Sequence, residues 1–392
     1  MATQRQPRPG TLAVWAGEKK DAWWGATQVP VAHSVAFGYA NVDEWLAAAR
    51  GRRPGHIYSR NTNPTVAAFE NKVRQLEGAE AATSFASGMA AISNTLFTLL
   101  APGDRLVSVK DSYGGTNRLF LDFLPRYQIE VRLCDTTDHR ALEAEVAKGC
   151  RVLYLETPTN PTLKVMDLAR LARAAHKVGA TVVADNTFAT PLNQTPLALG
   201  VDLVLHSATK FLGGHADALG GVVCGPAKRV RAIHHHREIT GAALDPMAAY
   251  LLLRGMKTLH LRIRQQNESA LQIARFLATQ PQVSQVFYPG LPSHPQHDIA
   301  RRQMRGFGGV LSFMLKGGFK AVRAFLPRLQ YAHLAANLGA VETIAGPPAT
   351  SSHVECTPAE RKAMGIPEGL IRYSVGIEDA EDLIADLKQA FK

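Results

Sequence analysis

Thr181-Val182-Val183-Ala184-Asp185-Asn186-Thr187 and Asp202-Leu203-Val204-Leu205-His206-Ser207-Ala208-Thr209-Lys210 are the two most informative segments of this chain. Each is a short, unbroken aliphatic run that stops at polar, chemistry-bearing residues. A strand with one wet face alternates apolar and polar positions, whereas an unbroken run is buried on both faces, as in a parallel sheet covered by helices. Working outward, the runs Arg105–Val109, 131–134 and Val152–Glu156 have the same character, and amphipathic segments such as 168–178 separate them. Upstream, Asn63-Pro64-Thr65 predicts a helix start, since proline suits the first turn, and the pattern runs through Val73 and Leu76 to a stop at Gly78. In sheets of this kind ligands bind beyond the carboxyl ends of the strands, so the chemistry is expected just after each run.

The chain has 392 residues, 46% of them hydrophobic and 20% charged, which suits two or three packed units. Residues 1–63 read as an irregular arm with Trp15, Trp23 and Trp24, expected to pack on a partner subunit or to form a surface loop. The tryptophans are expected at a core or an interface. Residues 64–260 read as an α/β domain. Residues 261–392, with strands and helices in a different rhythm (283–286, 309–315, 332–338, 370–375), read as a smaller α+β domain, and a long helix is expected beyond 251–259 to about 278. No apolar run approaches the ~20 residues that span a bilayer, and residues 1–10 lack the apolar segment of a secretory signal. Cys134, Cys150, Cys224 and Cys356 lie far apart without metal-ligand spacing and are expected as reduced, cytoplasmic thiols. The net charge of +11 is scattered rather than gathered into a basic, aromatic-bearing face, which argues against a nucleic-acid partner. His234-His235-His236 cannot converge on one ion from a helix and reads as a solvated patch.

The strand ends supply a specific set of groups. Asp185 follows one run and Lys210 the next; Glu156-Thr157-Pro158-Thr159-Asn160-Pro161 follows a third, and Ser87-Gly88-Met89 leads into a helix from about Ala90. Pyridoxal 5'-phosphate needs a carboxylate on its pyridine nitrogen, a lysine amine for its aldehyde, and hydroxyl and N–H donors for its phosphate. Asp185, Lys210, the Ser207 and Thr209 hydroxyls and the Ser87-Gly88-Met89 turn meet each need. Singly, each has an ordinary alternative: a capping Asp, an exposed Lys, a common Ser-Gly turn. Their order and shared placement favour the cofactor.

The motifs together resemble the cystathionine γ-synthase/γ-lyase family of pyridoxal-phosphate enzymes, from about Thr11 to the C-terminus. The resemblance rests on Tyr58-Ser59-Arg60 with Asn63-Pro64-Thr65, Ala86-Ser87-Gly88-Met89, Tyr113-Gly114-Gly115-Thr116, the 156–161 segment, Asp185-Asn186-Thr187-Phe188 and Ser207-Ala208-Thr209-Lys210. Tyr288-Pro289-Gly290-Leu291 and Leu370-Ile371-Arg372 extend it. It implies an aspartate-aminotransferase-like α/β fold (PLP fold type I), with a mainly parallel seven-stranded sheet and a smaller α+β C-terminal domain. It implies a homotetramer, a dimer of dimers with active sites shared between subunits, and a small amino acid as substrate, with neither nucleic acid nor membrane as partner. By the same resemblance Lys210 carries the cofactor and shuttles protons, Asp185 pairs with the ring nitrogen, and Tyr113 stacks on the ring and serves as acid or base. Ser87, Gly88, Met89, Ser207 and Thr209 surround the phosphate, and Tyr58 and Arg60 reach the phosphate of a neighbouring subunit. Asn160 lies near the cofactor hydroxyl and the substrate carboxylate, which Arg372 clamps; a planar fork suits a carboxylate better than Lys does.

Members of the family expel a γ-substituent and then either add a nucleophile or release a 2-oxo acid. Gly115 stands where methionine γ-lyases carry Cys, which argues against a dedicated enzyme of that kind. Glu342 occupies the place of a Glu directed at a distal ammonium; an ordinary solvated acid is the alternative. Asn337 replaces the usual Ser beside the carboxylate site, and the 347–353 loop with Ser352 departs from the common form. Cystathionine, an O-acylhomoserine or another γ-heteroatom amino acid such as canavanine all remain open as substrates. A cystathionine β-lyase would share the cofactor residues, and a non-enzymatic binding protein would be expected to lack Lys210 or Asp185.

Overall fold

A computed structural model describes residues 7–18, 20, 22–354 and 356–392; residues 1–6, the start of the segment tested above for a signal, lie outside them. The first sheet contains β1 (Ala81–Phe85), β2 (Arg105–Val109), β3 (Glu130–Cys134), β4 (Val152–Glu156), β5 (Thr181–Asp185), β6 (Leu203–Ser207) and β7 (Gly221–Gly225). Their order is β1-β7-β6-β5-β4-β2-β3, parallel except for β7, which runs antiparallel to β1 and β6. Burial on both faces is explicit in the side chains. Leu153, Leu155, Val182 and Val204 pack against Leu168, Leu171 and Ala175, while the alternate residues Tyr154, Val183, Leu203 and Leu205 pack against Ile92, Leu96 and Ile233. Period-two alternation thus feeds two separate cores, which is why β4 and β5 are apolar between their ends, as β6 is through Leu205.

A second, five-stranded sheet holds β8 (Val283–Phe287), β9 (Val310–Leu315), β10 (His333–Leu334), β11 (Ile344–Gly346) and β12 (Leu370–Ser374), in the order β10-β11-β12-β9-β8. Between the sheets runs the helix Leu259–Ala278. Its buried Arg262 donates to Phe211 O (2.8 Å) and Leu212 O (3.2 Å), just after Lys210, and its Gln266 donates to Ala340 O (3.0 Å) and Val375 O (3.1 Å). One helix therefore fixes the lysine loop against the second sheet.

The helix Pro64–Glu77 begins and ends as the sequence predicts: Asn63 accepts from Thr65 N, and Gly78 leaves it at φ 68°. Elsewhere the structure differs. The 251–259 segment belongs to a separate helix, Pro246–Met256, and only its last residue starts the long one. The helix after Ser87 begins at Gly88 rather than Ala90. The arm contains helices at Pro9–Trp15 and Val42–Ala49; the second is capped by Asn41, which accepts from Glu44 N, with Asp43 and Glu44 in its first turn. Trp24 is 95% exposed and Trp15 52%, so neither is a core residue of the single chain.

Candidate active site

β5 and β6 end side by side, with Asp185 opposite Leu205. Thr187 donates to Asp185 Oδ1 through its backbone N (3.0 Å) and its hydroxyl (2.5 Å), and the same hydroxyl accepts from Ser207 N at 2.9 Å. One threonine thus ties the two strand ends together and orients the buried carboxylate. Burial raises the Asp185 pKa, opposed by these bonds.

Past β6, Lys210 Nζ donates to Asn337 Oδ1 at 2.8 Å. Burial, and then the Arg372 guanidinium, push the lysine amine down to about 8. The 337–339 loop can come this close because Gly339 sits at φ 77°, where a Cβ would lie 2.8 Å from Phe211 N and 3.1 Å from the Lys210 carbonyl carbon. Arg372, on β12, donates through Nη1 to Asn160 Oδ1 (3.0 Å) and through Nη2 to Asn337 O (3.0 Å). Desolvation lowers it only to about 10, so it stays cationic.

At the opposite end β1 leads to Ser87, whose hydroxyl accepts from Ala90 N (3.1 Å) and caps the helix Gly88–Leu99. The Gly88 and Met89 N–H groups of that helix have no intrahelical acceptor, an arrangement suited to an anion. At Gly88 a Cβ would stand 2.7 Å from Ser207 Cβ, so glycine alone lets the helix start meet the end of β6. Thr209 Oγ1 accepts from Gly220 N at 3.0 Å.

Glu156, at the end of β4 and in register with Asp185, is a site residue that the sequence motifs do not single out. Its Oε2 accepts from Tyr113 N (2.7 Å) and its Oε1 from Asn160 N (3.2 Å), so one buried carboxylate holds two neighbouring loops. Burial, with the Asp185 charge beside it, holds its pKa well above the usual carboxylate range. On the far wall Ser352 Oγ is 2.9 Å from His353 Nδ1; burial and two nearby arginines push that imidazole down to about 4, leaving it neutral.

Ser87, Gly88, Met89, Tyr113, Asn160, Asp185, Ser207, Thr209, Lys210, Asn337, Ser352 and Arg372 all line one cavity of about 280 Å³. Three expected residues do not. Tyr58 and Arg60 are exposed and stack on each other, with the guanidinium carbon 5.5 Å from the ring centroid. Glu342 is exposed as well: it lies in the bend before β11, where its neighbour Thr343 is the buried residue, bonded to Glu378 through its backbone N (2.7 Å) and its hydroxyl (2.9 Å). The cavity adds Glu156, Thr187, Phe188 and Leu219 to the expected set.

The donors fit pyridoxal phosphate: a helix start and hydroxyls at one end, a buried carboxylate at mid-cavity, a lysine amine of lowered pKa, and beyond it an arginine for a carboxylate. Residues 10–392 match the family described as Cys/Met metabolism PLP-dependent enzyme. The chain is 44% identical to L-methionine gamma-lyase of Pseudomonas putida over 392 residues, covering 100% of this chain and 98% of that one. It is 42% identical to cystathionine gamma-lyase of Bacillus subtilis, covering 97% and 98%. A cystathionine gamma synthase from Xanthomonas oryzae pv. oryzae, solved with cystathionine, superposes with a TM-score of 0.94 at 40% identity over 98% of each chain. The chain therefore belongs to the Cys/Met metabolism enzymes that work with pyridoxal phosphate, in the γ-elimination and γ-replacement group.

Proposed function

We propose that the protein expels a γ-heteroatom substituent from an L-amino acid, with cystathionine or an O-acylhomoserine as the preferred class. The alternatives are O-acylhomoserine sulfhydrylase or canavanine γ-lyase-type activity and, after those, β-elimination from cystathionine. The observation that carries this reading is the chain Lys210–Asn337–Arg372–Asn160, bonded at 2.8, 3.0 and 3.0 Å. It supports reading Lys210 as a proton-moving amine one residue away from Arg372 as a carboxylate clamp, as chemistry at the α- and β-carbons of an amino acid requires.

In this reading Lys210 holds the cofactor, Asp185 faces its ring nitrogen, and Ser87, Gly88, Met89, Ser207 and Thr209 hold its phosphate. When bound, the cofactor supplies an electron sink for charge developing on the substrate. Arg372 and Asn160 fix the substrate carboxylate, so that Cα and Cβ face Lys210. With a pKa of about 8 the lysine can take a proton from Cα and return it elsewhere near neutral pH. Tyr113, its backbone anchored by Glu156, covers the ring and offers a second proton-transfer group.

At Gly115 a Cβ would lie 2.9 Å from Tyr113 Cε1 and 3.1 Å from Met89 Sδ, so a side chain there would displace the tyrosine. This supports placing the chain apart from dedicated methionine γ-lyases. Asn337, larger than serine, narrows the cavity beside the clamp and is the residue we assign to choice of substrate. Tyr58 and Arg60, exposed and outside the cavity, support a dimer of dimers in which the 1–63 arm completes a neighbour's site, with 64–260 binding the cofactor and 261–392 carrying the clamp. The four free cysteines suit a cytoplasmic enzyme.

The test is an absorbance spectrum with cystathionine, O-acetyl- and O-succinylhomoserine, methionine and canavanine added separately, the two O-acylhomoserines both with and without cysteine as the incoming thiol. A band shift with the first three, and release of 2-oxobutyrate, homoserine or a thioether, is expected; pyruvate as the sole keto acid would assign β-elimination instead. Lys210→Ala should lose the visible band of lysine-bound cofactor, and a retained band would overturn the assignment.

A further inference from the structure

Arg237 is a buried cation far from the cavity and takes no part in the site described above. It lies on the helix Ala227–Thr240 and is 2% exposed. Among the described residues its only acidic partner is Glu70, at 3.2 Å from Nη1. The remaining bonds go to the backbone of two separate segments. Nη1 donates to Ser84 O at 3.0 Å; Nη2 donates to Asn61 O at 2.6 Å and, at longer range, to Arg60 O at 3.4 Å.

Both segments matter to the cofactor. Ser84 is on β1, directly before the Ser87-Gly88 cradle, and Glu70 accepts from its N and its hydroxyl at 2.8 Å each. Asn61 closes the turn that presents Tyr58 and Arg60, donating its N to Tyr58 O at 2.9 Å. A second tie secures that turn: Asn61 Nδ2 donates to Glu238 Oε1, beside Arg237, at 2.9 Å. Burying a guanidinium is costly unless its donors are satisfied; both terminal nitrogens of Arg237 are bonded, while its buried Nε has no partner among the described residues. Here the two ends of one rigid fork are spent on different segments, a geometry that a lysine point charge cannot copy.

We propose that Arg237 is a positioning residue that holds the arm turn and the subunit's own phosphate cradle in one fixed relation, so that each subunit's cradle is coupled to the arm it lends to its neighbour. This rests on the reading that Tyr58 and Arg60 serve a neighbouring site. A helix-borne brace of this kind makes cofactor loading at one site favour the alignment of the arm that completes the other.

The test uses the full oligomer and begins with cofactor affinity, titrating apoprotein with pyridoxal phosphate and following tryptophan fluorescence. Arg237→Gln should weaken binding about tenfold or more, as expected for lost bonds to a charged group. Arg237→Lys should recover little of it, and the milder Glu238→Ala, which removes the Asn61 tie together with the pairs to His234 and His235 on the same helix, should shift affinity in the same direction. Unchanged affinity in Arg237→Gln, or full recovery by Lys, would overturn the proposal. If Arg237→Gln does not fold, Glu238→Ala decides the matter, and unchanged affinity there would refute it.

Mixed oligomers separate this inference from the reading it rests on. Co-assembled with Lys210→Ala, an Arg60→Ala subunit should regain activity, because its intact lysine receives an intact arm. Arg237→Gln with Lys210→Ala should regain only part of that level, since its arm defect is complemented and its own cradle defect is not. No recovery for Arg237→Gln, alongside recovery for Arg60→Ala, would confine Arg237 to its own subunit; equal recovery would confine it to the arm. Either result refutes the coupling. Failure of the Arg60→Ala mixture would refute the shared site itself, and the coupling with it.

Discussion

Burial and the Arg372 cation act on Lys210 in the same direction, and the first is the larger. The consequence is a pH dependence of cofactor capture. A protonated amine cannot attack an aldehyde, and the neutral fraction of Lys210 grows as pH rises through about 8 rather than through the ~10.4 of a free lysine. In apoprotein the rate of capture, followed by stopped-flow absorbance, should therefore rise between about pH 7 and 9 and then level off. Arg372→Met removes the smaller of the two causes, so its midpoint should move upward but stay below that of free lysine. A wild-type midpoint near 10 would show that the amine is not held as the geometry implies. The residues of this site differ in how much the sequence reveals of them. Lys210 and Asp185 were legible because each ends an apolar run. Asn337 was legible only as a departure from a pattern, and its bond to Lys210 depends on a loop brought in from more than a hundred positions away. Glu342 sits where sequence position suggests a substrate contact, yet the bend before β11 ties Thr343 to Glu378 and leaves Glu342 exposed.

The helix Gly88–Leu99 and strand β6 meet where neither has room to spare. Gly88→Ala separates two effects that usually travel together. Gly88 is the first residue of its helix, where the interior penalty of glycine hardly applies, so helix content should stay near the parent's while the clash with Ser207 costs about 1–3 kcal/mol of stability. The added methyl would lie 2.7 Å from Ser207 Cβ, and both atoms are anchored on backbone, so the helix start must move off the strand end. Cofactor affinity measured by equilibrium dialysis should drop at least about tenfold, as for lost bonds to a charged phosphate, while circular dichroism stays near that of the parent. Equal affinity in the variant would mean that the phosphate is held elsewhere. Which elements the sequence discloses follows from their burial. β2, β4 and β5 are apolar on both faces and stand out at once. β1 and β7 do not: Thr83 and Ser84 of β1 are buried polar residues bonded to His234 and Glu70, and β7 is bounded by Gly221 and Gly225, at which added Cβ atoms would meet backbone of Ser87 and Asp202. Long-range satisfaction of polar groups leaves no local signal, and the Arg237 fork, joining positions 176 apart, was illegible for the same reason.

In the whole molecule the arm is the part least explained by contacts within one chain. Its helices pack only in part, and Trp23 and Trp24 adopt φ of 60° and 56°, the left-handed region that bulky residues avoid at a cost of about 1–3 kcal/mol each. Trp23 offsets this by packing against the core that contains Ala13, Phe69 and Leu259, whereas Trp24, at 95% exposed, has no such compensation within the chain. A large indole presented in a strained turn is what an interface anchor looks like before its partner is added. The dimer of dimers proposed above supplies that partner, and a dilution series provides the measure. Trp24→Ala should leave the fold of each subunit intact, because little of the side chain touches it. If the indole is buried between subunits, losing it should cost about 2 kcal/mol of association, a rise of about thirtyfold in the dissociation constant. Mass photometry should then find smaller species at concentrations where the parent remains assembled, and the loss of assembly should carry cofactor retention down with it if the arm completes a neighbour's site. An unchanged distribution would place Trp24 on the outer surface and leave its backbone strain to be explained by something other than assembly.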